Sequence, residues 1–338
     1  LELLHLKKSV KNLLAIHMEY WPSQVLLTAV ELDLFNTLGD EKLTAQELGT
    51  SLGLSHPRGT YDFFDALVAL EFLDRDGDGP SGKYKNIPEM QWLLTSDKAM
   101  MFEGYELWRN LATALKTGKS LTMPDSHDPK PNSTYGGVYY VNGPQEFFYA
   151  MESLQQQNFA RLAEVFDFSK YQSMSDIGCS SALLARTVHQ AFPQLPIVCF
   201  DLPAVTPHVQ KLIDAAGAGD RISVVSGDFF EDDFPRTDVI AMGNVLHNWG
   251  LEKKKFIIQK VFDALPDQGA FIVIEDLIDN TRRKHPSSLL LSLNMLIEFG
   301  EGYNFTAQEF EEWCLDVGFK SCEFIELTET GTAAIVYK

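Results

Sequence analysis

The chain predicts an α/β fold: an open, mostly parallel sheet in its C-terminal half, preceded by a mainly helical domain. Two observations carry this. Residues 175–247 read as strand, turn and helix in repetition, with acids Asp176, Asp201 and Asp228 at three successive strand ends. The first 95 residues or so instead place apolar side chains at helical spacing, with one turn-rich interruption. At 338 residues the chain is long enough for two domains, each with its own core.

Composition narrows the function classes. Hydrophobic residues make up 45% and charged residues 22%, as in ordinary globular proteins. The net charge of -19 and pI of about 4.8 argue against a basic surface for nucleic acid or for an anionic membrane. No apolar run reaches the roughly 18–20 residues of a membrane span. Residues 1–5 lack the features of a signal peptide, so a cytoplasmic setting is expected. Cys179, Cys199, Cys314 and Cys322 include no C-x-x-C pair. They are expected to be reduced thiols, with no structural zinc and no other metal.

In the first 95 residues, positions 15–38 are helical in pattern, with a break expected at Pro22. Thr44 and Glu47 have the spacing of a capping box. A turn at residues 53–57 leads into a helix over 58–73, and residues 74–80 turn between Phe72-Leu73 and Tyr84-Lys85. Helix, helix, hairpin is the order of a winged helix. Its would-be recognition helix carries Arg58 against Asp62, Asp65 and Glu71, the wrong balance for phosphate. The apolar remainder suits a subunit interface, as does the stretch 20–27. Residues 96–170 read as a helical linker that contributes to the substrate pocket. It is broken by a Pro-rich loop at 123–132 and ends in a helix over 145–166. The sheet domain takes residues 171–338.

Strand ends of an open parallel sheet line one crevice, where ligands bind. The first turn there holds Gly178 followed by Cys179-Ser180-Ser181-Ala182. That is too poor in glycine for the G-x-G-x-x-G of a nicotinamide dinucleotide site. Asp201 follows Asp176 by 25 residues, where an acid can accept from both hydroxyls of a ribose. Asp228, after Gly227, is placed for an adenine amino group. Acids at these positions also cap helices and turns, but three in register favour a ligand. The fourth strand stretch, residues 238–249, delivers His247. A neutral imidazole can take a proton from a hydroxyl. Glu275 closes the next strand, where a carboxylate can fix the tautomer and stabilise the imidazolium.

Four motifs point further: Phe200-Asp201-Leu202-Pro203, Gly227-Asp228-Phe229-Phe230, Leu246-His247-Asn248-Trp249 and Ala264-Leu265-Pro266-Asp267-Gln268-Gly269. With them, essentially the whole chain resembles the class I S-adenosylmethionine-dependent O-methyltransferases of the caffeate and acetylserotonin type. The resemblance implies a Rossmann-like catalytic domain behind a winged-helix dimerisation domain, a homodimer, S-adenosylmethionine as cofactor and a small-molecule acceptor. It assigns Asp176, Gly178, Asp201, Leu202, Gly227, Asp228, Phe229 and Met242 to the cofactor, the base role to His247 and its orientation to Glu275. Two departures stand out. The family's first turn usually holds three glycines, of which only Gly178 remains here. A second acid often flanks the base within a Glu-Arg-Thr run, matched here by Asn304-Phe305-Thr306.

Acceptor-facing candidates are Tyr105, Trp108 and Arg109, then Tyr139, Tyr140, Phe147, Met151 and Phe159, then Asn294, Met295, Glu298 and Asn304. Core packing is the ordinary role of such aromatic and Met side chains. Oxygen is the favoured acceptor atom. A thioether is the alternative, because sulfur attacks without losing a proton and needs only positioning. Some proteins of this fold family methylate sulfur, for example in methylthiohydroxybutyrate on the way to dimethylsulfoniopropionate. A third reading, of another class, is a winged-helix regulator that keeps a degenerate methyltransferase domain.

Overall fold

The computed structural model describes residues 19–88, 107–121 and 144–338, the stretch 144–150 by its backbone alone. The chain divides into two compact units between Glu106 and Leu107.

The first unit is helical around a small sheet. Helix α1 (Tyr20–Glu31) and the short α2 (Leu34–Leu38) precede strand β1 (Leu43–Thr44), then come α3 (Ala45–Ser51), α4 (Pro57–Ala69), β2 (Leu73–Asp76) and β3 (Lys83–Asn86). Pro22 sits in the first turn of α1, where its missing N–H has no partner to lose, and residues 15–18 ahead of it lie outside the described residues. The break falls at Leu32–Asp33, where Asp33 turns left-handed with φ 57°. The capping box forms as the spacing predicts: Glu47 N–H donates to Thr44 Oγ1 at 3.3 Å and Thr44 N–H to Glu47 Oε2 at 2.8 Å. Helix α4 ends before the expected limit, and β2 runs on through Asp76. The three strands pair antiparallel in the order β1-β3-β2. Phe64 and Tyr84 fill this unit's core, their rings 5.4 Å apart.

The second unit carries α5 (Leu111–Thr117) and the long α6 (Pro144–Val165) ahead of the sheet. Strands β4 (Met174–Ile177), β5 (Ile197–Asp201), β6 (Ile222–Ser226), β7 (Val239–Gly243), β8 (Ala270–Glu275), β9 (Ser321–Glu326) and β10 (Thr332–Tyr337) form one sheet in the order β6-β5-β4-β7-β8-β10-β9. Only β10 runs against its neighbours. Helices α7 (Leu183–Ala191), α8 (Thr206–Ala215), α9 (Leu251–Ala264), α10 (Pro286–Phe299) and α11 (Ala307–Val317) connect the strands.

Alternation along the strands divides the core into two layers. Met174, Cys199, Ala241 and Ile272 pack with α6, α7 and α8 on one face. Ile177, Phe200, Met242 and Phe271 pack with α9 and α11 on the other. The neighbouring β5, β7 and β8 are nearly continuous apolar runs, as buried parallel strands tend to be, while β4 buries Ser175 and Asp176 between Met174 and Ile177. No described helix is long and apolar enough to cross a membrane.

Candidate active site

The strand order reverses between β4 and β7, and that switch point is where an open α/β sheet leaves room for a ligand. The turn after β4 is held tightly. Gly178 adopts φ +71°, and a Cβ there would lie 2.8 Å from Val245 Cγ2, so only glycine fits. Ser180 and Ala182 are also left-handed, at φ 50° and 58°. These are the places where the sequence has Ser and Ala instead of glycine. L-residues pay a steric cost in that region.

The turn is locked to the next strand by Asp201. Its carboxylate accepts from Ser180 N–H at 2.8 Å and from Leu202 N–H at 2.7 Å. Burial pushes the Asp201 carboxyl up to about 6 despite these two donors. Asp176 is buried more deeply and accepts from Ala185 N–H at 3.3 Å, in the first turn of α7; burial lifts it to about 7. Its carboxylate thus holds the helix start that forms the turn's far side.

After β6, Asp228 Oδ1 accepts from Phe230 N–H at 2.9 Å, an Asx-type turn. Gly227 lies against the Phe200 ring, which a Cβ would approach to 2.5 Å. Its smallness therefore serves packing directly. The Phe229 ring stands edge-on to Trp249 at 5.8 Å. The Met242 side chain has no exposed surface and packs in the α9–α11 layer. Two groups that the motifs did not single out complete this end of the sheet. Ser180 Oγ and Asn244 Oδ1 are buried without a partner among the described residues, and Asn244 is left-handed at φ 54°. Orphaned buried polar atoms are costly. A ligand rich in hydroxyl and amino groups can satisfy them, which fits a nucleoside with an amino-acid tail.

His247 sits in the 3-10 turn Leu246–Asn248 just beyond β7, 6% exposed. Its Nδ1 lies 2.5 Å from Glu275 Oε2, and its backbone N–H donates to Glu275 Oε1 at 3.2 Å. Both carboxylate oxygens therefore grip one residue. Glu275, at the end of β8, is 2% exposed. Nδ1 being committed to the carboxylate, Nε2 is the nitrogen left for chemistry. Asp276 follows, half-buried, its carboxyl raised by burial and by the neighbouring Glu275. Asn304 is buried; its Nδ2 donates to Asp276 O at 2.9 Å, and its Oδ1 has no protein partner.

Three of the acceptor candidates come together. Trp108 Nε1 donates to Asn294 Oδ1 at 2.8 Å, and Asn294 Nδ2 donates to Glu298 Oε1 at 2.8 Å. Met151 is half-buried on α6, while Phe159 and Met295 are core residues. Arg109 is exposed. Tyr105, Tyr139, Tyr140 and the Phe147 side chain lie outside the described residues. Lys254, fully buried near His247, was also not anticipated. Its signal was its place on the apolar stripe with Ile257, Ile258 and Val261, masked by the flanking Lys253 and Lys255. Among the described residues no group of three or more His, Cys, Asp or Glu is arranged to hold a metal ion.

Comparison with known proteins agrees with this geometry. Residues 108–320 match the O-methyltransferase domain, and residues 15–96 match the O-methyltransferase dimerisation domain. The chain is 34% identical over 333 residues to the tetracenomycin polyketide synthesis 8-O-methyl transferase TcmO of Streptomyces glaucescens, covering 96% of this chain and 95% of that one. It is 31% identical to the N,N-dimethyltransferase OxyT of Streptomyces rimosus, over 92% and 90% of the two chains. The crystal structure of human N-acetylserotonin methyltransferase in complex with SAM superposes with a TM-score of 0.81 at 25% identity, over 98% and 97% of the chains. The chain belongs to the S-adenosylmethionine-dependent O-methyltransferase family.

Proposed function

We propose that this methyltransferase acts on a hydroxyl of a small aromatic acceptor, with His247 as general base and Glu275 as its orienting partner. The observation that carries the reading is the buried His247–Glu275 contact of 2.5 Å. Two families of support meet there. The relative TcmO is named for 8-O-methylation in tetracenomycin polyketide synthesis, and a 26% identical relative from Streptomyces sahachiroi is a 3-hydroxy-5-methyl-1-naphthoate 3-O-methyltransferase. Fused-ring phenols are thus the acceptor class to try first. A thioether acceptor would leave the buried pair without a task, since sulfur loses no proton.

Asp201 would hold the ribose hydroxyls of S-adenosylmethionine and Asp228 the adenine edge, with Gly178, Leu202, Gly227 and Phe229 shaping the pocket and Asp176 bracing it. Ser180 and Asn244 would face its amino-acid tail. When bound, S-adenosylmethionine supplies a methyl group activated by a sulfonium centre. The residues do the rest. His247 Nε2 takes the acceptor's proton as the oxygen gains its methyl. Glu275 holds the Nδ1 proton and stabilises the imidazolium that results. Trp108, Asn294, Glu298, Met151 and Asn304 would position the acceptor.

The test is His247→Ala on an acceptor found by screening hydroxynaphthoates and related phenols. Turnover should fall about 10²–10⁴-fold with cofactor affinity kept. Near-normal turnover would end the general-base reading and leave positioning as the main catalytic device.

A further inference from the structure

We propose that Lys254 is a positioning residue for the catalytic pair: its side-chain nitrogen straps the turn that carries His247 to the segment that braces Glu275. The proposal rests on the base assignment above. Lys254 has no exposed surface. Its Nζ donates to Trp249 O at 2.5 Å and to Tyr303 O at 2.9 Å, and it stands 3.3 Å from the centre of the Tyr303 ring.

Each anchor leads to the pair. Trp249 closes the His247 turn through its N–H to Leu246 O at 3.1 Å. Tyr303 precedes Asn304, which holds Asp276 O directly after Glu275. Gly302 seals the two segments together. A Cβ there would lie 2.9 Å from both His247 O and Asn248 O. Lys254 therefore fixes, from one side, the two pieces of backbone on which the Nδ1–carboxylate geometry depends.

A merely space-filling role would be served better by an apolar side chain. Burying an ammonium is expensive unless it is paired and hydrogen-bonded. Here two carbonyls and a ring face satisfy it, and the carboxylates of Glu275 and Glu309 oppose the effect of burial, which brings Lys254 down to about 7. The neutral amine keeps two N–H groups for the two carbonyls, so the strap holds on both sides of that pH. The flanking lysines do something else: Lys253 and Lys255 reach Glu301 at 3.6 Å and Asp316 at 3.8 Å, more exposed ion pairs.

The deciding experiment uses Lys254→Met, which keeps length and removes the donors, and Lys254→Gln, which keeps an amide donor. The whole chain, saturated with S-adenosylhomocysteine, is examined by proton NMR for the low-field Nδ1–H resonance of His247, assigned by its loss in His247→Ala. In Lys254→Met the resonance should move or broaden, and its exchange with solvent should quicken by about threefold to tenfold, the effect of a lost hydrogen bond. Lys254→Gln should show a smaller change, and both should bind S-adenosylhomocysteine as the parent does. Folded variants with the parental resonance and exchange rate would overturn the proposal. Should Lys254→Met lack a cooperative unfolding transition, Lys254→Gln decides by the same criterion. Absence of the resonance from the parent would remove both the strap and the pair. Normal turnover in His247→Ala would instead remove the base assignment alone, and the resonance would still report whether Lys254 positions the ring.

Discussion

Asp201 shows how one carboxylate can serve the fold and a ligand together. Two backbone donors already hold it, at 2.8 and 2.7 Å, yet burial keeps it at about 6. Ribose hydroxyls would add donors that favour the charged form. Cofactor binding should then lower its pKa and release a proton. The sign follows: affinity should rise as pH climbs through about 6 and level off above it. Calorimetry in buffers of different ionisation enthalpy reads both the affinity and the proton. Asp201→Ala should cost about 1.5–3 kcal/mol of binding, as a lost charged hydrogen bond, and abolish the proton release. An unchanged affinity would move the cofactor elsewhere. Ser180 offers a second test. Its left-handed φ of 50° and its orphaned hydroxyl both strain the free protein. Ser180→Gly relieves each, at the expense of a more flexible unfolded chain, for a net gain of about 1 kcal/mol. Thermal unfolding without cofactor should occur a few degrees higher. With cofactor the gain should shrink, if the hydroxyl holds the ligand.

Between elements, the critical joint is the packing of the loop after α10 against the turn after β7. Gly302 allows it by lacking a Cβ. In Gly302→Ala the added methyl, 2.9 Å from His247 O and Asn248 O, must push the turn aside. A displacement near 1 Å can cost about 10²-fold in rate. Turnover should drop by that order while calorimetric cofactor affinity falls much less, because Asp201 and Asp228 sit on other strands and only Asn244 belongs to the displaced turn. Equal losses in both would mean that the turn holds the cofactor as firmly as the two acids do. The helix α6 joint is different in kind. It packs on α7 through apolar side chains and the Glu152–Arg186 ion pair, and its Phe159 lies against Gly243 at the end of β7.

For the whole molecule, the match of residues 15–96 to a dimerisation domain and the exposed side chains of Tyr20 and Trp21, 51% and 50% accessible, point to a homodimer. Obligate interfaces bury on the order of 2,000 Å² or more. Light scattering at micromolar protein should give twice 38.0 kDa; a single-chain mass would contradict it. The net charge of -19 separates the enzyme from a DNA-binding regulator. Random duplex DNA at low salt should not be retained. Tight, salt-sensitive retention would revive the regulator reading.

The sequence by itself determined the sheet and the ends of its strands. Apolar runs closed by Asp201 and Glu275 can be little else, because the pattern of burial is written residue by residue, and the edge strand before Gly227-Asp228 was legible from its β-branched residues instead. The capping box at Thr44 was legible for the same reason: its donors and acceptor lie within four residues. What spans distance was not. The resemblance gives Met242 to the cofactor, and only the fold shows that its side chain packs among the core residues of the α9–α11 layer. Lys254 lies among lysines in a stretch that looks solvated, and only the fold brings Trp249 O and Tyr303 O to its nitrogen. Asn304 reads as a lost acid, whereas its bond to Asp276 O makes it a brace for the segment just after Glu275. Local pattern fixes which side chains are buried. Which buried polar groups meet is decided by how separate segments close on one another, and that closure is where His247 gets its partner and its support.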